Sequence, residues 1–222
     1  MKRPAARSQL APPVRLAAVL IGVLTLPRLV GAQQFQSWNE VDFTASWKKV
    51  DVLVPVVVRT DPVLPNPQFA AIGIVASVPL AKRLRVVGGY LFADLPQRSN
   101  HAHVPLVAVA LTARKGHVTV LEQNRFEKLF DYGSEPVRYR NLLSGDARFD
   151  HDRSHVFLVD EAFFNLSSTT WNQNRLQAGV GRRLNRRLSF DIYYLRRDAA
   201  TGTTPVHVLG TVLTVNLKPK PT

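Results

Sequence analysis

The chain contains no cysteine and a single methionine in 222 residues. Without cysteine there is no disulfide scaffold and no thiolate metal site. Acid is scarce too: 16 Asp and Glu stand against 29 Lys and Arg, a formal charge of +13. There is no glycine-rich phosphate loop and no dinucleotide fingerprint, so nucleotide-dependent chemistry has no visible seat. Past residue 32, no apolar run is long enough to cross a bilayer as a helix. No convincing amphipathic helix stands out either. What these absences leave is a chain built from strands.

The N-terminus has the three parts of a secretory signal. Lys2, Arg3, Arg7 and Arg15 form a basic leader, Leu16–Leu26 is a short apolar run, and Val30-Gly31-Ala32 ends on a small residue. Cleavage is expected before Gln33, giving a signal peptide at 1–32 and one β-barrel domain at 33–222. The signal holds five of the basic residues and no acid, so the mature chain carries +8. An exported basic chain meets anionic lipid, or the phosphates of lipopolysaccharide, rather than nucleic acid.

Eleven strand candidates follow, near 34–47, 50–60, 68–79, 84–94, 103–113, 117–127, 137–147, 154–165, 171–182, 187–197 and 205–217. Most are close to ten residues, the length a tilted strand needs to cross a bilayer. Strands of ordinary globular proteins average about five or six. Short polar connections (Lys48-Lys49, Ala81-Lys82-Arg83, Arg114-Lys115-Gly116, Arg183–Arg186) alternate with longer ones (Asp61–Pro67, Leu95–Ala102, Lys128–Pro136, Arg197–Thr204). That alternation marks outer-membrane hairpins, with short turns in the periplasm and longer loops outside. Asp146–Ser154 is long for a turn in this scheme. The expected fold is all-β: an antiparallel up-and-down transmembrane barrel of about 10–12 strands. Because single-chain bacterial barrels favour even numbers, ten or twelve is preferred over eleven. Pro55 and Pro105 sit inside two strands that are apolar on both faces, so ladder pairing is expected to break there or the strands to meet a plug.

Trp171–Asp198 shows the pattern at its clearest. Leu188, Phe190, Ile192 and Tyr194 share one face, and Ser189, Asp191 and Tyr193 the other. The apolar face is expected to meet lipid. An arginine facing lipid near the midplane costs about 2–4 kcal/mol, so charged residues should turn inward. The candidates for a lumen charge network are Arg125, Arg138, Arg140, Glu161, Arg175 and Asp191, with Glu122 also considered. Glu122 and Arg125 are three apart, so a regular strand cannot point both inward. Arg175 is expected to reach Glu161 on the preceding strand and Asp191 on the following one.

Taken in order, Gln36-Ser37-Trp38-Asn39-Glu40, Leu121-Glu122-Gln123-Asn124-Arg125-Phe126, Arg138-Tyr139-Arg140, Asp160-Glu161-Ala162-Phe163-Phe164, Trp171-Asn172-Gln173-Asn174-Arg175-Leu176 with Gly179 and Gly181, and His207-Val208-Leu209 form a recognisable series. The series resembles the domain of unknown function 2490 family of bacterial outer-membrane β-barrel proteins. The resemblance covers nearly all of the mature chain, and its most specific part is the Gln-Asn-Arg-Leu stretch with the glycines after it. It implies a signal peptide, an outer-membrane barrel and a bacterial envelope location. It carries no reaction and no binding residues.

Enzymatic and metal chemistry find little support in the residues. Barrel lipid A deacylases use His-x-Ser on one strand; the nearest approach is His117-Val118-Thr119, and Ser154-His155 are adjacent and so face opposite sides. No catalytic residue and no cofactor are expected. His101 and His103 share a face, and His151, Asp152 and His155 lie close in sequence, but no third ligand has diagnostic spacing and no metal site is expected. The reading is a monomeric, non-enzymatic outer-membrane barrel with an arginine-containing lumen. A narrow pore for small anionic solutes, a lipid-modifying barrel enzyme and a soluble periplasmic β-protein stay open beside it.

Overall fold

Each strand begins where alternation begins and ends at a polar turn. In a computed structural model the described residues are 34–60, 67–96, 100–131, 136–168, 170–200 and 204–218. The expected signal segment lies outside them. The strands are β1 (Gln34–Trp47), β2 (Val50–Thr60), β3 (Pro67–Pro79), β4 (Leu84–Leu95), β5 (Asn100–Lys115), β6 (Val118–Lys128), β7 (Val137–Phe149), β8 (Ser154–Asn165), β9 (Thr170–Arg183), β10 (Leu188–Ala199) and β11 (Val206–Lys218). They close into a single barrel in which each strand pairs with its sequence neighbours and β1 pairs with β11.

The even count expected from the sequence does not hold: all eleven segments are strands. An odd number of up-and-down strands leaves the first and last running the same way, so β1 and β11 pair in parallel, from Gln34↔Val206 to Thr44↔Asn216. The barrel is therefore antiparallel except at this closure. The long segment Asp146–Ser154 also resolves. Strand β7 continues to Phe149, and the turn is tight because Asp150, His151 and Asp152 all take positive φ (52°, 54° and 61°). Aspartate tolerates that region better than most side chains.

Both prolines interrupt a ladder on one side only. The β2–β3 pairing stops at Leu53↔Val75 and resumes at Val56↔Ile72, while β1–β2 runs through Asp42↔Pro55 without a break. Strand β5 pairs with β4 through Tyr90↔Pro105 but with β6 only from Leu106 onward. Proline has no N–H to donate, so one neighbour loses its partner and the other does not.

The outer face is apolar. Ile74 (56%), Val107 (53%) and Leu158 (54%) are exposed on three separate strands, in the company of Val86, Val120, Leu143, Leu176 and Val180. A face of this extent is a surface for hydrocarbon, not water. The inward faces hold the buried residues. One cluster is Trp38, Tyr193, Leu195, Val206 and Val208; two others line β4 and β5 with Val87, Leu106, Ala108 and Ala110, and with Ala93, Ala102, Val104 and Leu129.

Strand β10 shows the two faces at full contrast: Phe190 and Tyr194 are 40% and 46% exposed, Tyr193 and Leu195 only 6% and 3%. Because the chain lacks cysteine, single-cysteine variants give a clean readout. A lipid-soluble maleimide is expected to label positions 190, 192 and 194 in reconstituted protein and to spare 191 and 193. Even labelling along the strand would contradict the inward and outward assignment.

Candidate functional site

Inward-facing residues of β6, β7, β8 and β9 build a charged cluster across the barrel wall. The register sets Arg125 opposite Arg140, Glu127 opposite Arg138, and Glu161 opposite Arg175. Two glutamates hold the arginines together. Glu127 accepts from Arg138 Nε at 2.7 Å and also from Arg138 Nη2; it accepts from Arg125 Nη1 at 3.2 Å and lies 3.8 Å from Arg140 Nη1. Glu161 accepts from Arg140 Nε at 2.6 Å and also from its Nη2, and from Arg175 Nη1 at 3.3 Å. Both glutamates are buried, at 2% and 6% exposure. Neighbouring strands place facing side chains about 5 Å apart, which is why one carboxylate serves arginines from both sides.

Aromatic rings complete the cluster. Phe163, 1% exposed, has the guanidinium carbons of Arg175, Arg138 and Arg140 at 4.4, 5.2 and 5.2 Å from its centroid. Arg59 on β2 lies between two rings, 3.9 Å from Trp38 and 4.2 Å from Phe69. These positions attract a cation to the ring face. Arg59 Nε, Arg125 Nε and Arg175 Nε are buried with no acceptor among the described residues.

Above the cluster, toward the long connections, is a cavity of about 570 Å³. Among the described residues it is lined by five arginines (Arg59, Arg138, Arg140, Arg175 and Arg197) and one carboxylate, Glu127. The facing wall is apolar, with Phe69, Ala71, Leu91, Ala93 and Val104. Below the cluster, the rings of Tyr193 and Phe157 lie over glycines of the neighbouring strands. Tyr193 faces Gly179 on one side and Gly210 on the other. A Cβ at Gly210 would overlap the Tyr193 ring, and one at Gly179 would come within 2.8 Å of Tyr193 Cβ and overlap Phe157. Glycine is required at both sites by this close approach, not by backbone conformation.

Of the six residues singled out from the sequence, the structure brings five into contact: Arg125, Arg138, Arg140, Glu161 and Arg175. Asp191 is a correction. It pairs with Gly181, six residues along β9 from Arg175, which is about 20 Å at the rise of a strand. There its carboxylate lies 3.4 Å from His155 Nε2, and His155 Nδ1 is 3.6 Å from Asp146. Glu122 points outward, where it accepts from Asn124 Nδ2 at 3.3 Å. Alternation along β6 selects Glu127, two residues past Arg125, and the same parity argument applied to the sequence would have found it. Arg59, Trp38, Phe163 and Arg197 were missed. Arg59 ends a strand whose other residues are almost all apolar, so no charge pattern flagged it. The group His151, Asp152 and His155 does not converge: His155 is in the lumen, while Asp152 lies 3.5 Å from His117 at the turns.

No curated protein matches the chain. Among solved structures, it is similar to a KdgM porin at 10% identity, covering 74% of this chain and 89% of that one with a TM-score of 0.47. It is also similar to a KdgM porin in complex with disordered oligogalacturonate at 10% identity, covering 68% and 84% with a TM-score of 0.44. The family model described as "Protein of unknown function (DUF2490)" matches residues 35–205, from β1 to the last connection before β11, and the chain belongs to that family.

Proposed function

We propose that this protein is an outer-membrane barrel whose long-connection half is a vestibule for small anionic solutes, and whose mid-barrel side chains keep the lumen shut to free diffusion. The observation that carries the reading is the charge of the cavity: five arginines against one glutamate, in a space of about 570 Å³. That volume falls within the range of small-molecule sites. Glu127 and Glu161 hold Arg138, Arg140 and Arg175, so the charge offered to a ligand comes chiefly from Arg59 and Arg197. Arginine suits carboxylate and phosphate because its planar fork binds them through two parallel hydrogen bonds. The apolar exterior supports the membrane location, and the filled mid-barrel supports a binding vestibule over an open pore.

Trp38 provides the test, since it stacks on Arg59 at the cavity floor and Arg175 lies 5.2 Å from its ring. The chain's other tryptophans, Trp47 and Trp171, are exposed on the barrel exterior. In a Trp47→Phe/Trp171→Phe background, titration with a small dicarboxylate or with inorganic phosphate is expected to change Trp38 emission saturably. Arg59→Gln should weaken that response by at least about tenfold, the loss of roughly one charge-assisted hydrogen bond. A cationic solute of the same size should give no response. Equal responses to anion and cation would overturn the vestibule.

A further inference from the structure

A second site lies on the outer face at the long-connection end, away from the lumen. His101 and His103 lie on one face of β5, and the sequence supplies no third ligand near them. The chain supplies it from 28 residues away. Phe130 forms an isolated bridge with His103: His103 N donates to Phe130 O at 3.2 Å, and Phe130 N donates to His103 O at 3.0 Å. This bridge is the outcome of the proline at 105. The β5–β6 ladder ends at Leu106, and the chain after β6 returns to β5 only at His103. The next residue, Asp131, takes φ +59° and brings its carboxylate to within 3.8 Å of His103 Nε2. One ligand atom from each of His101, His103 and Asp131 lies within 4.8 Å of the others.

We propose that His101, His103 and Asp131 form a zinc site, with water in the fourth position. Two imidazoles and a carboxylate suit zinc, and three protein ligands plus water is its open tetrahedral arrangement. The ligand atoms are close enough that small side-chain rotations, drawing them in to about 3.3–3.5 Å from one another, would seat one ion about 2 Å from each. His103 also has the support that metal-binding histidines need: Tyr90 OH is hydrogen-bonded to its Nδ1, leaving Nε2 for the ion. A partner on the far ring nitrogen fixes tautomer and orientation. The three side chains are accessible: His101 is exposed, and His103 and Asp131 retain 37% and 57% of their side-chain surface. An ion here would tie the segment after β6 to β5 at the point where the ladder is interrupted.

Isothermal titration of the full mature chain, folded in detergent, with zinc chloride is the test. One saturable site per barrel is expected, together with a rise in the temperature at which the heat-modifiable folded form is lost. A His101→Ala/His103→Ala variant and an Asp131→Asn variant should fold and migrate as wild type but lose that site and the stabilisation. Tyr90→Phe should keep the stoichiometry and weaken binding about 10- to 100-fold, as loss of an outer-shell partner does. The other four histidines (His117, His151, His155 and His207) remain in the double variant, so unchanged zinc uptake by it would overturn the assignment. Wild-type protein that takes up no zinc, or that binds calcium as tightly, would overturn it as well.

Discussion

Glu127→Gln is expected to destabilise the barrel by about 3–5 kcal/mol. The carboxylate is 2% exposed and holds three arginines from β6 and β7. Among the described residues, removing its charge leaves Arg125 and Arg138 without a carboxylate in contact, and Arg140 with Glu161 alone. Breaking one side of a shielded ion pair costs more than the pair contributes, because the partner stays charged and desolvated. The measurement is the temperature, or the urea concentration, at which the folded and gel-shifted form disappears. Adding Arg138→Gln to Glu127→Gln should recover part of the loss, since the arginine with two bonds to Glu127 is then neutral. Arg175→Ala should cost less than Glu127→Gln, because Glu161 keeps Arg140 at 2.6 Å. An unfolding transition unmoved by Glu127→Gln would mean that water already solvates the cluster.

This hierarchy shows how far the sequence could be read. Alternation with period two located every strand to within a few residues, because a two-faced wall imposes it on each crossing. Parity also predicted the sides of Arg175, Phe190 and Tyr193. What parity does not give is register. Asp191 was on the correct face of the correct strand, yet its height on the barrel depended on pairing with Gly181. Closure was hidden for a related reason. The preference for an even count concerns where chain ends lie, and no residue in β1 or β11 announces a parallel partner. Arg59 was lost because its ligands are aromatic rings, not acids, and ring contacts across a lumen leave no spacing in the chain. Asp131 was lost because its proximity to His103 depends on a single bridge beyond a proline-interrupted ladder.

Tyr193→Ala is expected to turn a silent barrel into a conducting one. Tyr193 is 6% exposed and packs with Trp38, Leu195, Val206 and Val208, and with Phe157 beside it. Its immediate neighbours in register on both sides are glycines, Gly179 and Gly210, and the next side chains at that level are the rings of Phe157 and Trp38. A ring laid over a glycine of the adjacent strand covers bare backbone, and a narrow barrel is filled in just this way. Truncation to a methyl group removes the ring and leaves two glycines on the wall behind it. The stability cost should be about 3–5 kcal/mol, as for other large-to-small aromatic changes. The functional change should be larger: in planar bilayers wild type gives no steady unit conductance, and the variant gives one. The arginines above the opening predict its sign, since a cationic ring passes anions in preference to cations. A salt gradient across the bilayer should therefore set a reversal potential on the anion-selective side. Gly210→Ala tests the same contact from the wall, because its Cβ would meet the Tyr193 ring and displace it while the phenol stays in the lumen. It should give intermediate or flickering openings. Equal conductance for wild type and Tyr193→Ala would move the closure elsewhere, and the ion-paired arginines above Tyr193 would then be the barrier.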